Sequence, residues 1–291
     1  MFHGLGNQMF IYSFGEYCKY VKGIKVYYNS KGYRKCNTEN VLRNLDILKF
    51  PHVKIEEEDS IMVQNFHLAK NVMNKIKKFV YSKILGHNIK RCHKNNSFDE
   101  VLVSNLHEKD MVFGFFQTIS YISEIEDVIR ADFAFGSPSS EIVKSYMEKI
   151  KSHDSISLHI RRGDYVGTER YASLNENYYL NGINMIIEGT NSDDYTLFVF
   201  SDDIPWVKSN MLGLKGFNCV FIEGTSNYDD LQLMSSCHHN IIANSTFSWW
   251  GAWLNTNMER KVVAPSINNW YVEDVSSAKL FPSDWILLDN K

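Results

Sequence analysis

No C-x-x-C pair occurs in this chain, nor any cysteine spacing of the kind that holds a structural zinc. The five cysteines (Cys18, Cys36, Cys92, Cys219, Cys237) are an odd number and read as reduced thiols, which points to a cytoplasmic chain. The opening residues M-F-H-G-L-G lack a basic segment followed by an apolar core, so no signal peptide is read. No run approaches the ~18 apolar residues of a membrane span. The net charge of −3 gives no bulk electrostatic reason for a nucleic-acid partner. Internal repeats and low-complexity tracts are also missing, which excludes a repeat architecture.

What remains is an ordinary globular composition with an aromatic excess. At 291 residues, 44% hydrophobic and 22% charged, the chain can bury a substantial core in one large or, better, two medium domains. The 14% aromatic share suits a site for flat or ring-shaped ligands. Residues 70–91 depart from the average: seven Lys and Arg surround Val72, Ile76, Phe79, Val80, Ile84 and Leu85. They read as a basic amphipathic helix, either resting on an anionic membrane surface or solvated and packed on its own domain.

Along the first half, Gly4-Leu5-Gly6-Asn7-Gln8 reads as a glycine-punctuated loop opening a helix from Met9 to about Val21, with backbone N–H groups free for an anion or a sugar hydroxyl. No strand precedes it. The expectation is a chain short of a few residues at its start, or one that opens on an atypical edge. A short strand follows at 25–28, a polar loop at 29–40, a short helix at 41–50 and a solvated acidic turn at 56–59. An aromatic strand at 111–117 and a helix at 119–129 lead to the Gly/Ser/Pro stretch 134–140, the best linker, and a helix at 141–150 enters the second domain.

From residue 155 strands and helices alternate regularly. Strands are predicted at 155–160, 195–200, 219–222, 240–243 and 262–264, with helices at 176–187, 205–212, 228–237 and 248–254, which implies a parallel sheet covered on both faces. In such a sheet all strand C-ends share one edge. Arg161, Arg162 and Asp164 follow the first strand, Ser201, Asp202 and Asp203 the second, and Asn244, Ser245, Thr246 and Ser248 the fourth. Adjacent arginines at a strand end suit a diphosphate, because each planar fork offers paired donors and stays charged. The alternative is one arginine paired with Asp164 and one solvated. The polar residues before Trp249 put hydroxyls and backbone N–H groups at a helix start, a phosphate cradle. No metal is expected: Asp202-Asp203 and Asp229-Asp230 lack the D-x-D spacing, and His238-His239 point to opposite faces.

G-L-G-N-Q-M-F at 4–10, H-I-R-R-G-D-Y at 159–165, F-S-D-D at 200–203, D-L-Q-L-M at 230–234 and N-S-T-F-S-W-W-G-A-W-L at 244–254 resemble, in order, the α-1,2-fucosyltransferases of glycosyltransferase family 11. The resemblance implies an α/β GT-B architecture, two Rossmann-like domains facing each other across a cleft. Residues 1–140 would bind the acceptor, a galactose-terminated glycan, and residues 141–291 GDP-β-L-fucose. The implied reaction inverts the anomeric centre and places α-L-fucose on a galactose 2-hydroxyl without metal or other cofactor. Carried over by motif, Arg161 and Arg162 hold the diphosphate, helped by the hydroxyls of Thr246 and Ser248 in the Asn244–Ser248 cluster, to which Asn244 and Ser245 also belong. His159 and Asp230 meet the guanine, and Asp202 braces an arginine. Gly4, Gly6, Asn7 and Gln8 line the cleft from the other domain. The acceptor hydroxyl needs a base, either Asp164 or Glu169, unless the leaving phosphate takes the proton. The resemblance leaves two alternatives: a non-catalytic nucleotide-sugar or glycan-binding module, and a transferase for another GDP-hexose. The expected location is cytoplasmic, peripheral on the inner membrane face if the basic helix docks there.

Overall fold

The computed structural model describes residues 4–29, 45–57, 88–92, 97–163, 174–188, 195–270 and 279–290. The chain forms two compact units, Met1–Ala134 and Phe135–Lys291.

The first unit is built on α1, Leu5–Lys22, which starts four residues earlier than its apolar periodicity suggested. Leu5, Gly6 and Gln8 are therefore helical, and Gly4 is the N-cap, taking the Asn7 and Gln8 N–H groups on its carbonyl at 3.0 and 3.1 Å. Only the cap remains of the expected loop. α1 is buried almost continuously from Leu5 to Cys18 and ends at Gly23, whose φ of 65° supplies the left-handed cap that glycine adopts without strain. Gly15 lets a neighbour in: a β-carbon there would collide with the Tyr28 hydroxyl, which donates to the Tyr12 carbonyl (3.1 Å) and to Glu16 (3.2 Å).

Other first-unit expectations change. The strand at 25–28 is reduced to one bridge between Tyr28 and Glu57, so Glu57 is not in a free turn. The described part of the 41–50 helix is a short 3-10 turn, Asp46–Lys49. Of the basic segment, residues 70–87 lie outside the described residues, and its end is not helical. Ile89–Arg91 is a strand, β1, paired in parallel with Met111–Phe113, β2. Lys90 is consumed by Asp110 at 2.6 Å, with an aspartate side chain only 2% exposed, so this lysine is unsuited to a membrane. Helix α2, Glu100–Ser104, lies between them.

β2 stops at Phe113, short of residue 117. Gly114 packs so closely that a β-carbon would strike Cys92 and the Phe116 ring, and Phe116 turns to φ 53°, outside the strand region. Its ring stacks on Phe14 at 3.8 Å. The expected helix at 119–129 is broken into α3, Ile119–Ser123, and α4, Glu126–Asp132.

The second unit begins before residue 141. The stretch read as a linker is bonded to it: Tyr228 Oη accepts from Gly136 N at 3.1 Å, Gln232 donates to Gly136 O at 2.8 Å, and Ser139 donates to Asp229 at 2.6 Å. Then come α5 (Glu141–Lys151), β3 (Asp154–Ile160), α6 (Glu176–Ile187), β4 (Tyr195–Ser201), α7 (Ile204–Asn210), β5 (Asn218–Phe221), α8 (Asn227–Ser236), β6 (His239–Ile241), α9 (Thr246–Trp253), β7 (Val262–Pro265), α10 (Ile267–Trp270) and β8 (Ile286–Leu288). β8 and α10 had no sequence signal. β8 is three residues long and only partly buried, too short to show a period.

The six strands are all parallel, in the order β5-β4-β3-β6-β7-β8. This is a doubly wound sheet whose strand order reverses between β3 and β6. Ile156, Leu158 and Ile160 of β3 pack with Tyr178, Ile183 and Ile186 of α6 and Val207 of α7. Phe198 and Phe200 of β4 face the other way, onto Val143 and Ile150 of α5 and Leu233 and Met234 of α8. Both faces are thus covered, which is why Ser155, Ser157 and His159 are buried although they alternate with apolar residues.

Candidate active site at the switch point of the sheet

The C-terminal ends of β3, β4 and β6 lie on one edge because every pairing is parallel. The first of these ends and the last flank the point where the strand order reverses, the crevice in which open α/β sheets bind ligands. Arg161 and Arg162 leave β3 there.

Each arginine is held by a residue at the end of β4. Arg161 Nη1 lies 2.9 Å from Asp202 Oδ2, and the backbone N–H of Arg162 donates to Asp202 Oδ1 at 2.9 Å. Arg162 Nε lies 3.4 Å from Asp203 Oδ2, and its guanidinium carbon sits 3.3 Å from the centroid of the Trp206 ring. Asp203 also caps α7, its Oδ1 accepting the Trp206 N–H at 3.1 Å, while its own N–H goes to Ser201 Oγ at 3.0 Å. The expected brace of Asp202 on an arginine is present in this geometry. Gly163 is required by it: a β-carbon at 163 would run into the Asp202 carboxylate.

His159 is the last inward residue on the α8/α9 face of β3. It is buried, its ring 5.7 Å from that of Phe247 in the first turn of α9, and Nδ1 has no hydrogen-bond partner among the described residues. Burial, assisted by the neighbouring Arg161, pushes its pKa down to about 3, so the imidazole is neutral and can donate or accept. An unpaired buried nitrogen is costly unless a ligand completes it.

Asp230 is in the first turn of α8, which follows β5. It accepts from Thr225 Oγ1 at 2.5 Å, and burial raises its carboxyl to about 6. Its neighbour Asp229 is structural, closing a capping box with Ser226.

The polar residues after β6 divide. Ser245 caps α9, and Asn244 Nδ2 donates to Asn269 O at 3.1 Å. Ser248 is buried and turns its hydroxyl back to the Ala243 and Ser245 carbonyls. Thr246, half-buried, opens the helix. Trp249, Trp250 and Trp253 are core, and Trp249 Nε1 donates to Leu280 O at 3.0 Å. Both candidate bases, Asp164 and Glu169, lie outside the described residues.

In the first unit, Gly4 and Asn7 are partly exposed at the start of α1, and Gln117 Nε2 donates to Asn7 Oδ1 at 2.7 Å. Gln8 is fully buried, accepting the Ile47 N–H at 3.1 Å, and Gly6 is buried beside it. These two brace the helix start from within.

Trp206 and Gln117 escaped the sequence reading of the site. Neither belongs to a motif, and only the fold brings them against Arg162 and Asn7. Among the described residues no three His, Cys, Asp or Glu cluster as metal ligands would, and Cys18, Cys219 and Cys237 are free thiols. No helix among them is long and apolar enough to cross a membrane.

The chain is 28% identical over 294 residues to the alpha-1,2-colitosyltransferase of Escherichia coli, covering 98% of this chain and 96% of that one. It is 29% identical over 303 residues to the O-antigen biosynthesis glycosyltransferase WbnK of Escherichia coli, covering 98% of both. Among solved structures, NodZ alpha-1,6-fucosyltransferase soaked with GDP-fucose aligns over 91% of this chain and 93% of its own, with a TM-score of 0.46 at 12% identity. POFUT1 in complex with GDP aligns over 64% of this chain and 77% of its own, with a TM-score of 0.36 at 14% identity. The family model described as glycosyl transferase family 11 matches residues 5–289, and the chain belongs to that family.

Proposed function

We propose that this glycosyltransferase moves L-fucose from GDP-β-L-fucose to the 2-hydroxyl of a terminal galactose, inverting the anomeric centre, without a metal. The observation that carries the reading is the pair Arg161–Arg162 at the switch point, each fixed by its own aspartate. As the glycosidic bond to the diphosphate breaks, negative charge gathers on the departing phosphate. Preorganised guanidinium groups stabilise that charge most when it is greatest, the role a divalent cation would otherwise take. Neutral His159, with its unpaired Nδ1, and Asp230, whose carboxylate matches the N1–H and amino donors of guanine, make the base-binding end. Asn244, Ser245, Thr246 and Ser248 shape the helix start facing the phosphates.

The acceptor would lie against Gly4 and Asn7 of the first unit. Asp164 or Glu169 would take the proton of its hydroxyl, unless the leaving phosphate does. The relative named an alpha-1,2-colitosyltransferase supports the α-1,2 linkage and favours one further reading of the donor, since colitose is fucose without its 3-hydroxyl. The O-antigen relative supports an acceptor in surface polysaccharide synthesis.

The test is turnover of GDP-fucose and GDP-colitose with lactose as a generic β-galactoside, with and without EDTA, following GDP release and product linkage by NMR. EDTA-insensitive formation of an α-1,2-linked fucoside is expected. Preference for GDP-colitose would transfer the assignment to the 3-deoxy sugar, and failure of GDP itself to bind would refute the donor site. Asp164→Asn and Glu169→Gln decide the base: the true base loses turnover while GDP affinity stays.

A further inference from the structure

We propose that Trp206 is a positioning residue for donor binding, a shelf that holds the Arg162 guanidinium in the orientation in which it grips a diphosphate. The inference rests on the donor reading above.

Three observations carry it. The guanidinium carbon is 3.3 Å from the centroid of the indole, in face contact, which is where the ring quadrupole attracts a cation. One carboxylate sets both parts: Asp203 Oδ1 fixes the Trp206 backbone N–H at 3.1 Å, and Oδ2 lies 3.4 Å from Arg162 Nε. Finally, the side chain of Arg162 is 21% exposed, and neither terminal nitrogen is paired among the described residues. With Nε on Asp203 and the flat face on Trp206, the edge that remains carries the two terminal nitrogens, which no carboxylate among the described residues pairs. That is the paired-donor edge a phosphate takes.

The two arginines therefore differ. Arg161 is paired through a terminal nitrogen to a full carboxylate, Asp202. Arg162 is held through Nε and an aromatic face and keeps its terminal donors for the ligand. Without the shelf, the long arginine side chain samples other rotamers, and the diphosphate must order it on binding. Trp206 is half-buried and also packs against the core, so loss of affinity alone would not separate a shelf from a strut.

A double-mutant cycle separates them. GDP affinity is measured by calorimetry for the wild type, Trp206→Leu, Arg162→Ala and the double variant, with Trp206→Phe alongside. The expected result is GDP binding about 3- to 20-fold weaker in Trp206→Leu, the span of a cation–π contact. It should be largely restored in Trp206→Phe, and in the Arg162→Ala background Trp206→Leu should have no further effect. An equal loss in both backgrounds would show that Trp206 only supports the fold and would overturn the proposal. Unchanged affinity in Trp206→Leu, with Arg162→Ala still weakened, would overturn it while leaving the donor reading intact. Unchanged affinity in Arg162→Ala would remove both. Should Trp206→Leu fold poorly, the series Trp, Tyr, Phe, Met at 206 makes the same comparison: affinity following ring character only while Arg162 is present supports the shelf.

Discussion

Arg161 and Asp202 form an ion pair, Nη1 to Oδ2 at 2.9 Å, at a place where Gly163 leaves no β-carbon in the way. The aspartate uses its other oxygen on the Arg162 backbone N–H at 2.9 Å, so one side chain joins the end of β4 to both arginines. Gly163→Ala must push the carboxylate off this position. The expected result is a donor KM raised by about tenfold, about 1.4 kcal/mol, with little change in melting temperature because Gly163 is exposed. Steady-state kinetics beside a thermal melt checks it; an unchanged donor KM would show that the Asp202 brace is dispensable.

The Asp230 carboxyl, raised to about 6 by burial, gives a pH dependence with a definite sign. A carboxyl whose folded pKa is raised favours its protonated form, so its contribution to folding declines as pH rises from the usual carboxylate range through about 6. On the proposed donor reading the ionised form meets guanine, so GDP affinity should fall as pH drops below about 6. Asp230→Asn should therefore melt higher than wild type at pH 7.5, match it near pH 4, and bind GDP more weakly with a flat profile between pH 5 and 7. Parallel wild-type and variant profiles would assign the titration to another group.

Gln117 holds Asn7 at 2.7 Å from a loop whose preceding residue, Phe116, adopts φ 53°. A bulky residue held there is strained, and such strain concentrates where a side chain must be aimed. Gln117→Leu is expected to raise the acceptor KM about 3- to 10-fold, the loss of roughly one hydrogen bond, while the donor KM stays constant. Equal changes in both constants would argue for a general loosening of the first unit instead.

Asn240 anchors the centre of the second unit. Fully buried, its Nδ2 donates to Ser157 Oγ at 2.7 Å and Met234 O at 2.8 Å, and its Oδ1 accepts from Asn255 at 2.8 Å. Asn240→Ala strands these partners in a low-dielectric interior and should cost roughly 2–4 kcal/mol. All six tryptophans lie after residue 134, so the denaturation of this unit can be followed by tryptophan fluorescence.

How much was legible follows from how far apart the interacting residues lie. Helix Glu176–Ile187 was read residue for residue, since its apolar positions repeat every three to four residues and Asn175 caps it. Five of the six strands of the parallel sheet, all but β8, were found within a residue or two for the same local reason. The basic segment misled at its end because β1 exists only through pairing with β2, some twenty residues on, and a three-residue strand has no period of its own.

By itself, then, the sequence determined a doubly wound parallel sheet and the polar residues at its strand ends, because hydrophobic period, turns and caps are encoded over a few neighbours. It also carried the motifs of the family. Only the tertiary structure decided which aspartate holds which arginine, that Trp206 lies under one guanidinium, that Gln8 is an internal brace while Asn7 takes the amide of Gln117, and that Ser248 faces backbone. Those relationships depend on strand register and on crossovers of about forty residues, and charge pairing is set by position in space, which no local pattern records.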